Sequence, residues 1–388
     1  MNDLYIVDQP ALVDFCARLR GESWLALDTE FIRERTYYPQ LCLIQIASAD
    51  EVACIDPLAL PSLDPLLDLL HDPAITKILH AAQQDLELFF HLRGVAPAPV
   101  FDTQLAALAL GQGHQIGYAA LARQLLGVDL DKAHTRANWR HRPLASEWLR
   151  YAADDVRYLP ELYRRQRAAL EERGWLDALS EDFQALCHPD RYRLQPWEAW
   201  RRVREHRRLS GVQRAVLRTL AAWREERAST YDRPRRWILD DAVLVELARR
   251  MPRDAEQLQR VRGLPAGTLQ RHGADLLERI EAARAEPPDQ WPARPARPRL
   301  TPSQVTQVDE WLALIAARAR EQGIPPPACA DRPDVENLLA EMDSPLRRGW
   351  RAALIGWELQ ARLAEGNHGA ELPPLDPNLA KDVQAPFT

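Results

Sequence analysis

Residues 25–31 carry the sequence LALDTEF, an apolar stretch that contains two acidic residues. The pattern predicts a β-strand, because alternate side chains of a strand point to opposite faces. Asp28 and Glu30 therefore project together on one face of an apolar strand. Two carboxylates that close repel each other, and burial strengthens the repulsion. Either a hard divalent cation such as Mg²⁺ or Mn²⁺ lies between them, or the strand ends in water there.

Strand and helix signals alternate through the first part of the chain. Residues 3–20 predict a short strand and a helix, which precede a sheet of five further strands at residues 25–31, 41–47, 51–56, 76–80 and 99–102. Tight turns join the first three of these strands, as in an antiparallel meander. Helices fill most of residues 103–173. The order βββ-α-β-α-β-α predicts an α/β domain with a mixed five-stranded sheet.

Strand signals stop after about residue 175, and helical patterns with apolar Trp and Leu positions follow. Prolines between residues 286 and 300 interrupt them and mark a linker. The sequence thus predicts an α/β domain followed by two all-α domains. The boundaries are 1–175 for the α/β domain, 176–200 for a linker, 201–287 for the first helical domain, 288–300 for a Pro-rich linker, 301–366 for the second helical domain and 367–388 for a disordered tail.

The charge of the chain is unevenly distributed. Its formal net charge is −6, but residues 191–299 hold 25 Arg, no Lys and 15 acidic residues, a net charge of +10. The remaining residues then carry −16. A basic segment joined to an acidic one is typical of a polyanion-binding module beside a metal site. The alternative is a solvated, Arg-rich helical surface with no such partner.

Several classes of protein are disfavoured by what the sequence lacks. The 5 Cys are scattered and form no CxxC pair, which fits a reduced cytoplasmic protein. No signal peptide and no apolar run of about 18 residues is found, so no membrane association is expected. Residues 111–117, GQGHQIG, follow a predicted helix and not a strand, and no GxxxxGK[ST] motif occurs. A nucleotide cofactor is therefore not expected.

Three further residues extend the acidic pattern of the first strand. Asp85 stands at the start of a predicted helix, just after the strand at 76–80. Tyr151 and Asp155 are four residues apart and share one face of another predicted helix. Taken singly, Asp85 is equally well explained as a helix N-cap, and the Tyr151 pair as an exposed polar face.

In order along the chain, these residues lie in motifs that resemble the ribonuclease D family. LDTEF, YYPQL and LIQI within residues 27–46 resemble its first exonuclease motif, LHAAQQDLE at 79–87 its second, and YAADDVRYL at 151–159 its third. FDTQ at 101–104 resembles a segment between the second and the third. The helical regions resemble HRDC modules, the first of them most clearly around VRGLP at 261–265.

The resemblance implies an RNase H-like exonuclease of the four-acid, tyrosine subtype that uses two divalent cations. Asp28, Glu30 and Asp155 would hold the cations, with Asp28 between them and Asp85 contributing through a water. Two cations about 3.5–4 Å apart activate a water and stabilise the leaving oxygen. Tyr151 would orient the attacking water through its hydroxyl group.

Two other residues near the motifs have open roles. His80 either faces the substrate or ends a strand, and Asp102 either orients the site or caps a helix. The histidine subtype of the family would place its His where this chain has Arg150.

The resulting hypothesis is a 3′→5′ exoribonuclease that releases 5′-monophosphates, with tRNA precursors and other small structured RNAs as its substrates. One alternative is a 3′→5′ DNA exonuclease of the Werner or proofreading kind, which uses the same four acids. The other is a non-catalytic RNA-binding scaffold, which need not keep all five motif residues.

Overall fold

The computed structural model describes residues 2–131, 137–293 and 298–364. Their contacts divide them into two compact units. Unit 1 comprises residues up to 31, residues 41–192 and the described residues from 298 onward. Unit 2 comprises residues 32–40 and the described residues from 193 to 293. The predicted tail at 367–388 and residues 294–297 of the predicted linker lie outside the described residues.

Unit 1 is built on one mixed sheet. Its strands are β1 (Asn2–Ile6), β2 (Trp24–Ile32), β3 (Gln40–Ala47), β4 (Glu51–Ile55), β5 (Thr76–Leu79) and β6 (Val100–Asp102), in the spatial order β1-β4-β3-β2-β5-β6. β1 pairs in parallel with β4, β2 with β5, and β5 with β6, whereas β3 and β4 are antiparallel. The catalytic-motif strand β2 is thus internal, flanked by β3 and β5.

The mixed α/β fold with a following helical region is confirmed, but the predicted number of five strands is wrong. The sixth strand is β1, which the sequence places ahead of the sheet. It pairs with β4 from Asn2 opposite Glu51 to Ile6 opposite Ile55. A short edge strand whose partner lies so far along the chain leaves no local pattern that assigns it to a sheet.

The helices, in chain order, fall into three groups. Those that follow or connect the strands are α1 (Gln9–Leu19), α2 (Asp64–Leu70), α3 (Gln83–Arg93), α4 (Thr103–Ala109), α5 (Tyr118–Leu126), α6 (Ser146–Arg157), α7 (Leu159–Glu172) and α8 (Leu176–Cys187). Unit 2 contains α9 (Gly211–Thr230), α10 (Arg235–Ile238), α11 (Asp241–Arg250), α12 (Ala255–Gln259) and α13 (Ala266–Ala285). The last group is α14 (Pro302–Glu321), α15 (Pro326–Cys329), α16 (Arg332–Leu339), α17 (Gly349–Arg351) and, after a π-helical turn, α18 (Trp357–Ala364).

The last group of helices shares one hydrophobic core with the sheet. Trp350 is fully buried in this core. The backbone N–H groups of Gly349 and Trp350 donate to the carboxylates of Glu181 and Asp182 on α8, over 2.9 and 3.0 Å. A Cβ at Gly349 would lie 2.1 Å from Asp182 Oδ2, so only glycine fits this approach. The segment expected as a separate second helical domain is therefore part of unit 1.

Unit 2 has a hydrophobic core of its own, formed mainly by α9, α11 and α13. Trp223 at its centre is fully buried, and its indole N–H donates to Asp275 over 2.7 Å. Ser210 and Gln213 form a capping box at the start of α9. Such a box satisfies backbone donors that a helix N-terminus otherwise leaves unpaired. Across the parts of the chain that the structure describes, no helix is long and apolar enough to cross a bilayer.

Candidate active site

The β2 strand supplies the first two carboxylates of the site. Asp28 and Glu30 are half-buried, and Thr29 between them is buried. Leu25 and Leu27 anchor the strand in the core of unit 1. An internal strand fixed in this way holds the two acids in a defined place.

Asp85 reaches the same place from the first turn of α3. β5 runs parallel to β2, so the chain leaves both strands at the same end of the sheet. A sharp turn follows at Ala81, whose φ of 59° lies in the left-handed region. Asp85 is only 6% exposed, and its Oδ1 accepts a hydrogen bond of 2.5 Å from the Thr29 hydroxyl. That bond joins α3 to the motif strand.

α6 supplies the last two motif residues. Tyr151 and Asp155 lie one turn apart and are half-buried, and the Tyr151 hydroxyl donates a hydrogen bond to the Asp155 carboxylate. The buried ring of Trp139 packs near that of Tyr151, with 6.2 Å between the ring centroids. The predicted sharing of one helix face is therefore present in the structure.

The pKa values show that the four acids interact electrostatically. Burial raises the pKa of Asp28 far above its usual range, and the charges of Asp85, Asp155 and Glu30 add to the rise. Burial, with the charges of Asp155 and Asp85, raises the pKa of Glu30 to about 8. Burial raises the pKa values of Asp85 and Asp155 to about 7, although hydrogen bonds from Thr29 and Tyr151 oppose the rise. Chain segments far apart in sequence thus converge on one acidic cluster.

This donor set has the chemistry of a site for hard divalent cations. Carboxylate oxygens are the ligands that Mg²⁺ and Mn²⁺ prefer, and a cation would relieve the mutual repulsion that raises the pKa values. Within the described ranges, no group of three or more His, Cys, Asp or Glu side chains is arranged so that it could hold a metal ion as it stands. Two of the four carboxylates, those of Asp85 and Asp155, are engaged by the hydroxyls of Thr29 and Tyr151.

Asp102 caps a helix and also fixes the turn that precedes α3. As the N-cap of α4, its carboxylate accepts from the backbone N–H groups of Gln104 and Leu105. It also accepts from those of Ala81 and Ala82, over 3.1 and 2.9 Å. The helix-capping role considered for this residue is therefore present, and the same carboxylate also holds the turn that leads to Asp85.

His80 is held by hydrogen bonds on both ring nitrogens. Nε2 lies 2.9 Å from the carbonyl oxygen of Ile116, and Nδ1 lies 2.9 Å from the Thr103 hydroxyl. Burial lowers the pKa of His80, which favours a neutral ring. A carbonyl only accepts, so Nε2 carries the proton and donates to Ile116. The Thr103 hydroxyl beside Nδ1 donates to the Leu79 carbonyl oxygen over 3.0 Å.

Sequence reasoning missed several residues that build the site. Tyr118 donates to the Asp154 carbonyl over 2.9 Å, and its pKa is raised by burial and by the nearby charges of Asp155 and Asp28. Arg142 binds the buried Asp56 through two hydrogen bonds of 2.5 and 2.7 Å. It also donates to the backbone carbonyl oxygen of Trp139 over 2.6 Å, and the ring of that residue packs near Tyr151.

Only one of these residues left a signal in the sequence. That residue is Thr29, which donates to Asp85 and lies between the two motif acids of β2. Tyr118 and Asp154, in contrast, are 36 positions apart, and Arg142 and Asp56 are 86 positions apart.

Comparison with known proteins places these features in one family. A 3′-5′ exonuclease family matches residues 5–171, and the HRDC domain matches residues 213–280. Ribonuclease D of Gluconacetobacter diazotrophicus is 41% identical over 355 residues, which cover 89% of this chain and 88% of that protein. Ribonuclease D of Pseudomonas paraeruginosa is 38% identical, covering 92% of this chain and 96% of that protein.

A solved structure agrees over nearly the full length. The crystal structure of Escherichia coli RNase D, described as an exoribonuclease involved in structured RNA processing, matches with a TM-score of 0.82 and 33% identity. The match covers 94% of this chain and 99% of that one. Together these relatives confirm the exoribonuclease hypothesis and do not favour the DNA exonuclease alternative. The chain belongs to the ribonuclease D family of 3′→5′ exoribonucleases.

Proposed function

We propose that Asp28, Glu30, Asp85 and Asp155 hold two divalent cations, Mg²⁺ or Mn²⁺, at which RNA 3′ ends are hydrolysed to 5′-monophosphates. The observation that carries this proposal is the convergence of four carboxylates whose pKa values are raised by burial. The charges of Asp85 and Asp155 further raise the pKa values of Asp28 and Glu30. Two bound cations would activate a water and stabilise the leaving 3′ oxygen.

The four acids would have different roles in binding the cations. The pKa of Asp28 is affected by all three of the others, which supports a place between the two cations. Glu30 and Asp155 would complete the ligand set. Asp85, held by Thr29, would contribute through a water molecule.

Tyr151 would orient the attacking water. Its pKa is raised by burial and by the charges of Asp155, Glu30 and Asp28, so the phenol stays neutral at physiological pH. A neutral phenol is a poor metal ligand but both donates and accepts hydrogen bonds. Its contact with Asp155 and the packing of Trp139 hold the hydroxyl beside the acids.

His80 and Asp102 would support the site without touching the substrate. Their hydrogen bonds go to Thr103, to the Ile116 carbonyl and to the backbone around Ala81. These contacts fix the end of β5 and the start of α3, and hence the position of Asp85.

Unit 2 would bind the RNA chain. Three of its aromatic side chains are more than half exposed, Trp197 at 54%, Tyr231 at 51% and Trp237 at 56%. An arginine guanidinium lies over each ring at 5.6–5.9 Å from the centroid. Exposed rings stack on bases, and arginines contact phosphates without reading sequence.

We propose tRNA precursors and other small structured RNAs as substrates and the cytoplasm as the compartment. The description of the E. coli relative as acting in structured RNA processing supports the first. The second is supported by the five cysteines, all free thiols. The matched ranges 5–171 and 213–280 support an exonuclease domain at 1–175 and a first HRDC domain at 201–287.

One assay tests this function. End-labelled RNA and DNA oligomers, with free or blocked 3′ ends, are incubated with Mg²⁺, with Mn²⁺ or with chelator. We expect 5′-monophosphates only from RNA with a free 3′ end and only with a cation. Digestion of blocked RNA, or unchanged digestion in chelator, would refute the proposal.

A further inference from the structure

The segment after the motif strand belongs to the HRDC-bearing unit. β2 carries Asp28 and Glu30 and ends at Ile32, where the chain passes from unit 1 to unit 2. Residues 32–40 are part of unit 2, and the chain returns to unit 1 at Leu41. Only one residue, Phe31, separates Glu30 from this segment, which we call the strand-exit loop.

A single carboxylate holds the backbone of the strand-exit loop. Asp232 Oδ1 accepts from the N–H groups of Tyr37 and Tyr38, over 2.9 and 3.0 Å. Asp232 follows α9 and has a φ of 46°, in the left-handed region that Asp, Asn and Gly tolerate. The Asp232 side chain thus binds two successive backbone N–H groups of the loop. Asp232 itself lies almost 200 positions further along the chain.

An ion pair between the buried Glu225 and the half-buried Arg235 holds the Tyr37 side chain of the same loop. Glu225 on α9 is 2% exposed and binds Arg235 through hydrogen bonds of 2.6 and 2.7 Å. The Tyr37 hydroxyl donates to Glu225 Oε1 over 2.5 Å and accepts from Arg235 over 3.0 Å. The Arg235 guanidinium also lies 4.6 Å from the centre of the Tyr37 ring.

These contacts engage the backbone N–H, the hydroxyl and the ring of Tyr37. All three are engaged by unit 2, and Tyr37 is only 7% exposed. Bidentate Arg–carboxylate pairs and stacked guanidinium groups fix geometry more strictly than single contacts do. The strand-exit loop is therefore held in a defined position by Asp232, Glu225 and Arg235.

We propose that unit 2 positions the carboxylates of β2 through the strand-exit loop, with Asp232, Glu225 and Arg235 as positioning residues. The HRDC module then acts on the rate of hydrolysis as well as on RNA binding. This inference rests on the proposed role of Asp28 and Glu30. Displacements of about 1 Å at a distance from the reacting atoms are known to slow catalysis by up to about 10²-fold.

The test uses the full chain and two substrates. A ribodinucleotide has one scissile bond and no further phosphates that unit 2 could bind. A long RNA has a scissile bond and many further phosphates. Asp232→Gly removes the carboxylate without backbone strain, because glycine accepts the positive φ. We expect roughly a 10-fold lower kcat on the dinucleotide, with KM unchanged.

Three further variants complete the test. Asp232→Asn keeps an amide oxygen as acceptor and should restore kcat to within about 2-fold of the unaltered chain. Tyr37→Phe keeps the ring but removes the hydroxyl and should lower kcat in the same direction. Asp254→Ala removes an N-cap of α12 in the same unit, where the Asp254 carboxylate accepts from Gln257. It should leave dinucleotide kcat unchanged.

The outcomes separate the possible roles. A normal dinucleotide kcat in Asp232→Gly, with a raised KM on long RNA only, would show that unit 2 acts only in RNA binding. That result would overturn the proposal. An equal loss of kcat in Asp254→Ala would show a general stability effect and overturn it too. If Asp28→Asn kept full turnover, the site assignment itself would fail, whatever the Asp232 variants do.

Discussion

The hydroxyl of Thr29 donates to Asp85 Oδ1 over 2.5 Å and so links the motif strand to the start of α3. Both residues are buried, and the bond opposes the rise in the pKa of Asp85. Thr29, which lies between Asp28 and Glu30, thus orients Asp85, an acid 55 positions after Glu30.

Thr29→Val keeps the shape of the side chain and removes the hydroxyl. Asp85 then loses the donor that orients it, and we expect cation affinity to fall by roughly 10-fold, as for other residues that orient metal ligands. Titration with Mn²⁺ measures this change. Thr29→Ser, which keeps the hydroxyl, is the control. Equal Mn²⁺ affinity in the Val and Ser variants would show that the Thr29 hydroxyl does not contribute to cation binding.

The pH dependence of stability follows from the raised pKa values. Burial raises the pKa values of Glu30, Asp85 and Asp155 to about 8, 7 and 7 in the folded chain, against about 4 for exposed carboxyls. Groups with a raised folded pKa stabilise the fold below about pH 4, and this contribution is lost as pH rises through 7 and 8. Without cations, the Tm should therefore fall between pH 6 and pH 9.

Mg²⁺ should raise the Tm more at pH 9 than at pH 6, because at pH 9 the acids need not release protons before they bind it. Thermal unfolding in chelator and in excess Mg²⁺ at the two pH values measures the difference. Asp28→Asn, which removes one of the mutually repelling charges, is the control and should show a smaller difference. An equal Mg²⁺ effect at both pH values in the unaltered chain would contradict this view of the cluster.

Tyr151→Phe keeps the ring against Trp139 and removes the hydroxyl. If the hydroxyl orients the attacking water, kcat should drop by roughly 10²-fold, while Mn²⁺ and RNA affinity stay the same. A tyrosine with only a packing role would instead show a lower Tm and near-normal kcat. Measuring kcat, RNA affinity and Tm on this single variant distinguishes the two roles.

Trp350 belongs to the hydrophobic core that the C-terminal helices share with the rest of unit 1, and its backbone N–H donates to Asp182 on α8. Because it is fully buried, Trp350→Ala should lower the free energy of unfolding by about 3–5 kcal/mol. The exposed Trp357 offers a matched control, and its replacement by Ala should change stability by no more than about 0.5 kcal/mol. Urea unfolding measures both.

The same packing bears on truncation. Ending the chain before residue 298 would expose the apolar face that Trp350 and its neighbours cover, so we expect lost solubility and lost activity. A soluble, fully active fragment would show that the C-terminal helices are dispensable.

Local patterns were enough to predict much of the fold and the site. Asp28 and Glu30 are two residues apart on a strand, and Tyr151 and Asp155 are four apart on a helix, so spacing alone places each pair on one face. The motif resemblance adds Asp85. In the structure, burial and the charges of Asp85, Asp155 and Glu30 all raise the pKa of Asp28.

What the sequence did not predict depends on contacts between distant residues. Arg142 and Asp56 form an ion pair across 86 positions, and Asp232 binds the backbone of Tyr37 across 195. The edge strand β1 and the buried Trp350 depend likewise on partners far along the chain. Periodicity records which face of an element is apolar, but not which other element covers that face.

The central claim is that four carboxylates hold the cations at which RNA 3′ ends are hydrolysed. Single-turnover hydrolysis of 3′-end-labelled RNA by Asp28→Asn and by Asp155→Asn, each shown to be folded and to bind RNA, tests it most directly. Each variant removes one negative ligand and almost no volume, so we expect no detectable release of nucleotide 5′-monophosphate. Hydrolysis at the rate of the unaltered chain in either variant would contradict the claim.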